Sequence, residues 1–116
     1  MENDPVTTNP DLYSVVFENE RVRVLEYSDT AGTLSVPHTH PDSVMVTLSS
    51  FARRLHAGDG RTFDTELPFG AARWLPAQSH SGENTGSTPT HAIFVELKEP
   101  STQPAPEREP LGPGAS

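Results

Sequence analysis

His38 and His40, set one residue apart in Val36-Pro37-His38-Thr39-His40-Pro41, are the side chains of this sequence best spaced for chemistry. A strand turns residues i and i+2 to the same face. An extended segment here therefore aims two imidazoles into one space, where they can hold a metal ion. Three more histidines, His56, His80 and His91, follow downstream. Among five histidines a pair at this spacing also arises by chance, so its meaning depends on the elements that carry it.

Those elements read as short strands. Segments of β composition run over 13–17, 21–27, 32–38, 43–49, 52–56, 61–64, 72–75 and 91–98, with the cleanest alternation in Arg21-Val22-Arg23-Val24. Breaks at Asn19-Glu20, Asp29-Thr30-Ala31-Gly32, Gly58-Asp59-Gly60, Pro68-Phe69-Gly70 and Gly82-Glu83-Asn84 separate them. No segment shows a capped apolar periodicity of helical length. Many short strands and almost no helix predict an antiparallel sandwich or barrel.

The ends differ from the middle. Residues 1–10 read as a flexible N-terminal arm and residues 11–98 as a single domain. Residues 99–116 carry Pro100, Pro104, Pro106, Pro110 and Pro113 without an apolar run, and read as a disordered Pro-rich tail. At 116 residues the chain accommodates one domain with a real core. The absence of cysteine removes disulfides, Cys-ligated zinc and thiol nucleophiles. A net charge of −8 with scattered Lys and Arg speaks against nucleic acid and anionic membranes as partners. No stretch approaches the length of a membrane span, and the first residues lack the basic and apolar regions of an export signal. The expected setting is the cytoplasm, and the expected partner a small-molecule ligand or a second subunit.

The order Gly32, His38, His40, followed by Gly70, Pro76, His80 and Asn84, resembles the cupin superfamily. That family's first motif is Gly, five residues, His-x-His, three or four residues, Glu, six residues and Gly. Its second is Gly, five residues, Pro-x-Gly, two residues, His, three residues and Asn. Here five residues separate Gly32 from His38 and Gly70 from Pro76, and three separate His80 from Asn84. The resemblance spans about residues 13–98. It implies an all-β, antiparallel jelly-roll cupin β-barrel that holds a divalent transition metal on His38, His40 and His80, and it also implies a homodimer.

The chain departs from the pattern twice. Val44 or Met45 stands where the motif's Glu belongs and the closing Gly is missing, which leaves three histidines, with Asp42 nearby as a carboxylate if the turn bends. Gln78 replaces the second motif's Gly, with one fewer residue before His80. Because Gln78 and His80 share alternation, the amide is expected to point toward the metal or its ligand. Three neutral imidazoles leave the ion its full charge, which favours an anionic ligand, and they suit Fe, Zn, Ni and Cu alike.

Other residues read more plainly. His91 opens the run Ala92-Ile93-Phe94-Val95-Glu96-Leu97 as a half-buried strand histidine bonded to backbone, and His56 sits at a surface hairpin. Trp74 and Phe94 read as core or dimer contacts, while Met45, Thr47 and Trp74 are candidates for shaping a substrate pocket. Of the adjacent Arg53 and Arg54, one should face inward, where it can bind a substrate carboxylate. A surface arginine paired with Asp64 or Glu66 is the simpler expectation. Glu96 is expected to be solvated and Asn84 to lie in a turn.

Two functions follow. One is a metal-dependent enzyme acting on a small anionic metabolite. The resemblance makes it dioxygenase-like, since three-His iron cupins insert oxygen into thiol or diketone substrates, whereas three-His zinc sites suit hydrolysis or isomerisation. The other is a non-catalytic module that binds a small molecule or metal, favoured by the missing Glu and the lack of an acid/base partner. A structural barrel that has lost its site is disfavoured by the intact histidines. No residue is assigned a catalytic role from sequence.

Overall fold

The computed structural model of the chain describes residues 4–100 and 110–113. Its strands are β1 (Tyr13–Glu18), β2 (Val22–Asp29), β3 (His38–His40), β4 (Ser43–Thr47), β5 (Phe51–His56), β6 (Thr62–Leu67), β7 (Ala72–Leu75), β8 (Gln78–Asn84) and β9 (Thr90–Leu97). Two-residue alternation builds the central ones: β9 turns Thr90, Ala92, Phe94 and Glu96 inward, and β4 turns Ser43, Met45 and Thr47 inward. All pairings between strands are antiparallel. They form a five-stranded sheet, β1-β2-β9-β4-β7, and a four-stranded sheet, β3-β8-β5-β6.

The antiparallel jelly-roll expectation agrees with this architecture in all but closure. The described pairings leave edges at β1, β7, β3 and β6, so two sheets enclose the core through side chains without a continuous ring of hydrogen bonds. Tyr13, Leu25, Tyr27, Met45, Phe51, Leu67, Leu75, Ala92 and Phe94 fill the space between them.

Both terminal segments reach the domain. Pro5–Thr8 form one helical turn, α1, with Asp4 capping it by accepting from Val6 N at 2.9 Å and Pro5 in the first turn, where its missing N–H costs nothing. Asn9 then fastens this segment beside β3: its Oδ1 accepts from Val36 N at 2.7 Å and its Nδ2 donates to Val36 O at 3.0 Å. Residues 4–10 of the expected flexible arm are thus packed. Most of the expected tail lies outside the described residues, but Gly112 is buried and bonded to Gln78.

A buried ion pair joins the sheets. Arg53 is the inward arginine of its pair, and Arg54 is exposed against Asp64. Arg53 Nη1 donates to Asp29 Oδ2 at 2.6 Å and to Thr90 Oγ1 at 3.0 Å. The other oxygen of Asp29 accepts from Asn84 Nδ2 at 2.9 Å and Thr90 N at 3.2 Å, and Tyr27 also donates to this carboxylate. Burial pushes the Asp29 carboxyl up, but the bonds from Tyr27, Arg53 and Asn84 outweigh that and hold it below the usual range. Gly82 makes room for the guanidinium, since a Cβ there would lie 2.7 Å from Arg53 Nη2.

Removing one charge of this pair strands the other in the interior. Arg53→Met is expected to destabilise the fold by roughly 3–5 kcal/mol in urea unfolding. Combining it with Asp29→Asn should cost less than the sum of the two single changes; additive costs would show that the charges are uncoupled.

Candidate metal centre

β3 and β8 pair with His38 opposite His80, Thr39 opposite Ser79 and His40 opposite Gln78. The inward face of this two-strand ribbon therefore carries His38, His40, His80 and Gln78, all buried, while Thr39 and Ser79 face outward and bond to each other at 2.8 Å. Strand alternation and cross-strand register together bring three imidazoles to one place. One ring nitrogen from each lies within 4.8 Å of the others.

The proton of each ring is fixed by its neighbour. His38 Nδ1 lies 2.8 Å from the Val36 carbonyl, which can only accept, and Asn9 Nδ2, 3.3 Å away, gives its two hydrogens to Thr8 Oγ1 and Val36 O, so the proton sits on Nδ1. His40 Nδ1 faces Glu96 Oε2 at 3.3 Å, again an acceptor. His80 Nδ1 faces Gln78 Oε1 at 2.8 Å, and the orientation of that amide is itself determined. Gln78 Nε2 donates to Pro76 O and Gly112 O, while Oε1 accepts from Gly112 N at 2.7 Å. With every Nδ1 protonated and turned outward, the three Nε2 lone pairs are left for the shared space.

Glu96, on β9, is 2% exposed and held by Arg23 at 2.8 Å, and Arg23 is held in turn by Asp4 at 2.8 Å. Burial raises the Glu96 carboxyl while Arg23 opposes the shift. Phe94 stacks on His40 with ring centroids 5.2 Å apart. From β1, the Tyr13 hydroxyl lies 3.3 Å from Nε2 of both His38 and His40. Desolvation by burial lowers all three imidazoles: His38 sits below the ordinary histidine range, His40 falls to about 3, and His80 drops well below.

No protein-family model and no curated protein sequence matches the chain. Solved structures do. A cupin domain from Bordetella pertussis Tohama I is similar with a TM-score of 0.69 at 26% identity, over 76% of this chain and 93% of that one. The chain has the fold of a small cupin. A double-stranded β-helix protein from Klebsiella pneumoniae is similar at 24% identity and a TM-score of 0.58, over 90% and 84% of the two chains. A cupin superfamily protein from Desulfitobacterium hafniense is similar at 17% identity and a TM-score of 0.56, over 76% and 77%.

Within this fold, a cavity of about 50 Å³ adjoins His38 and His80, room for a few waters or a small ligand. Met45, Phe51, Leu67, Leu75 and Phe94 make it apolar, and Arg53 and Tyr13 also line it. Of Met45, Thr47 and Trp74, the candidates for shaping a pocket, Met45 alone lines this cavity. Thr47 is buried elsewhere, donating to Pro68 O at 2.7 Å and accepting from Ala71 N at 2.8 Å to hold the β6–β7 turn. Trp74 faces outward on edge strand β7, opposite Val44. Asp42 accepts from Ala77 N at 2.8 Å and braces a turn rather than supplying a ligand. Gln78 points to His80 and Gly112, so its amide orients a histidine and not a bound ligand.

Further readings change as well. Glu96 is buried in phase with Ala92 and Phe94, where the carboxylate has Arg23 and His40 as partners, so solvation is not its state. His91 pairs with the Glu26 side chain, not with backbone, through its ring, and His56 pairs with Glu83. Sequence reasoning missed Tyr13, Arg23 and Asn9 around the site. Alternation in 92–96 carried a signal for Glu96; nothing local marked the other three.

The lowered imidazoles set a sign for pH dependence in the metal-free protein. Histidines of an unfolded chain take up protons near 6.5, whereas those in the fold resist them. The unfolded state thus binds more protons below 6.5, and the stabilisation present above that pH is lost as pH falls toward about 3. Glu96, raised by burial, works in the opposite sense at the acid end. Chelator-treated protein should show a falling Tm from about pH 7 to about pH 5, before most carboxylates titrate; a constant Tm over that interval would contradict the buried neutral cluster.

Proposed function

We propose that this cupin is metal-dependent, with His38, His40 and His80 holding a divalent transition ion (Fe, Zn, Ni or Cu) and a small anionic metabolite binding beside it. The observation that supports this reading is the outward anchoring of all three Nδ1 protons, on Val36 O, Glu96 and Gln78, which leaves three lone pairs for one shared space. Soft-to-borderline nitrogen donors of this kind suit transition ions and disfavour Ca or Mg. When bound, such an ion supplies a Lewis acid for an anionic donor group and, for a redox-active metal, electron transfer.

The chain's own residues do the rest. Glu96 keeps His40 oriented and its carboxylate is balanced by Arg23. Met45, Phe51, Leu67 and Phe94 keep the cavity apolar, which excludes water and accommodates the non-polar part of a ligand. An oxygen-dependent, dioxygenase-like reaction on a thiol, diketone or keto acid is the first activity to test, by oxygen consumption of the iron-loaded protein. A non-catalytic binding module is the second reading. It is favoured because Asp29 neutralises Arg53 and Arg23 neutralises Glu96, so no free carboxylate or cation faces the cavity among the described residues. No oxygen uptake across the panel would select it, or a non-redox reaction.

Among the described residues no helix is long and apolar enough to cross a membrane, and a cytoplasmic setting remains part of the proposal. A homodimer is proposed as well: edge strand β1 exposes Val15, Val16 and Phe17 beside unpaired backbone groups, a surface that a second copy can cover. Light scattering should give the dimer mass, and Val16→Glu with Phe17→Glu should give the monomer; a wild-type monomer would refute this.

Metal binding is tested directly. Untagged protein is expected to carry about one transition ion per chain, and added ion far above its Kd should stabilise the fold by roughly a few kcal/mol. Replacing His38 and His40 by Ala should abolish the shift in Tm. No bound metal and no shift with Fe(II), Zn(II) or Ni(II) would end the proposal.

A further inference from the structure

We infer that the phenol oxygen of Tyr13 is a fourth donor to the ion held by His38, His40 and His80, standing in for the carboxylate this sequence lacks. The inference rests on the reading of those histidines as ligands. The spacing supports it. Two donors each about 2.1 Å from a tetrahedral ion lie about 3.4 Å apart, and the Tyr13 oxygen lies 3.3 Å from Nε2 of both His38 and His40. That is the separation a shared ion would set between this oxygen and each of those nitrogens. Met45, one of the residues aligned with the family's Glu, lines the cavity with a thioether and brings no carboxylate.

The proton count points the same way. Nδ1 is protonated on both rings, so both Nε2 atoms are acceptors, while the phenol has a single proton to give. One lone pair consequently faces oxygen without a proton between them. The hydroxyl meets no other polar group among the described residues. A cation at this point satisfies both nitrogens and the oxygen together. On binding, the oxygen–metal bond forms as the phenol proton departs to solvent, leaving the site one unit less positive than three imidazoles alone would.

Tyr13 has little freedom to swing aside. It is 5% exposed, it opens β1 in register opposite Tyr27, and its ring packs on Tyr27 at 4.7 Å and Phe94 at 5.9 Å. Its backbone N–H is held by Asn9 O at 3.1 Å. The β1 sheet thus delivers oxygen to a nitrogen set built on the other sheet.

The test loads the full-length protein with Fe(III), and in parallel with Cu(II), and measures metal content and the visible spectrum together. Phenolate bound to either ion gives a ligand-to-metal charge-transfer band that imidazole and water do not. The expected result is about one ion per chain with that band in wild type, the band retained in Tyr27→Phe, and the band lost in Tyr13→Phe while metal is still bound. Tyr13 and Tyr27 are the two tyrosines of the chain, so these variants exhaust the assignments. Affinity alone does not discriminate, because a hydrogen-bonding neighbour of a ligand also shifts it by about 10–100-fold. Resonance Raman of the wild-type band, showing tyrosinate vibrations, decides the matter without any variant should Tyr13→Phe fold poorly. Stoichiometric metal without the band, or with a band unchanged in Tyr13→Phe, overturns the role of Tyr13 and leaves the three-histidine reading standing. Absence of bound metal in wild type overturns both.

Discussion

Three imidazoles can share one buried space only if their protons point away from it, and that constraint organises the centre of this protein. Each ring meets an oxygen on its outer side: a backbone carbonyl two residues away for His38, a carboxylate on β9 for His40, and an amide two residues away for His80. All three acceptors are themselves pinned, Val36 O by Asn9, Glu96 by Arg23 and Gln78 by Gly112. The centre is thus a layered arrangement, in which the innermost atoms have the right protonation because atoms one shell out have no alternative.

The pairing of β3 with β8 was legible in part. His38 and His40 announced themselves by spacing, and the glycine, proline and asparagine flanking His80 gave it a family context. β8 itself, Gln78–Asn84, carries no apolar signal of a strand, because its inward face is Gln78, His80, Gly82 and Asn84. The alternation is there, but it alternates polar with polar, and hydrophobic periodicity is blind to that. Residues 32–37, read as strand, form no strand beyond an isolated bridge at Leu34; Gly32 takes φ +86° and Pro37 has no N–H to give a ladder.

Partners that depend on distant pairing were beyond reach. Glu96 stands 73 residues from Arg23 and 56 from His40. Its phase with Ala92 and Phe94 could be seen, yet without a partner a buried carboxylate is the less reasonable assumption. Tyr13 shares this difficulty: its ring is ordinary core, and its hydroxyl gains meaning only when the sheets face each other. Thr47 and Trp74 erred in the opposite direction, their residue types suggesting a pocket where register and edge position assign a turn and an outer face.

Gly112 illustrates how far such dependence extends. Its N–H donates to Gln78 Oε1 and its carbonyl accepts from Gln78 Nε2, so one backbone unit reads both ends of the amide. An amide turned by half a circle would bring nitrogen against N–H and oxygen against carbonyl, and would offer His80 a donor instead of an acceptor. His80 would then have to place its proton on the nitrogen facing the other imidazoles. Gly112 adopts φ +82° with the Phe63 ring packed where a side chain would begin, a position only glycine can fill. A segment that reads as featureless tail thereby acts as a proofreader of tautomer, and the choice of which histidine nitrogen carries hydrogen is made 32 residues downstream of the ring, as the numbering of His80 and Gly112 shows.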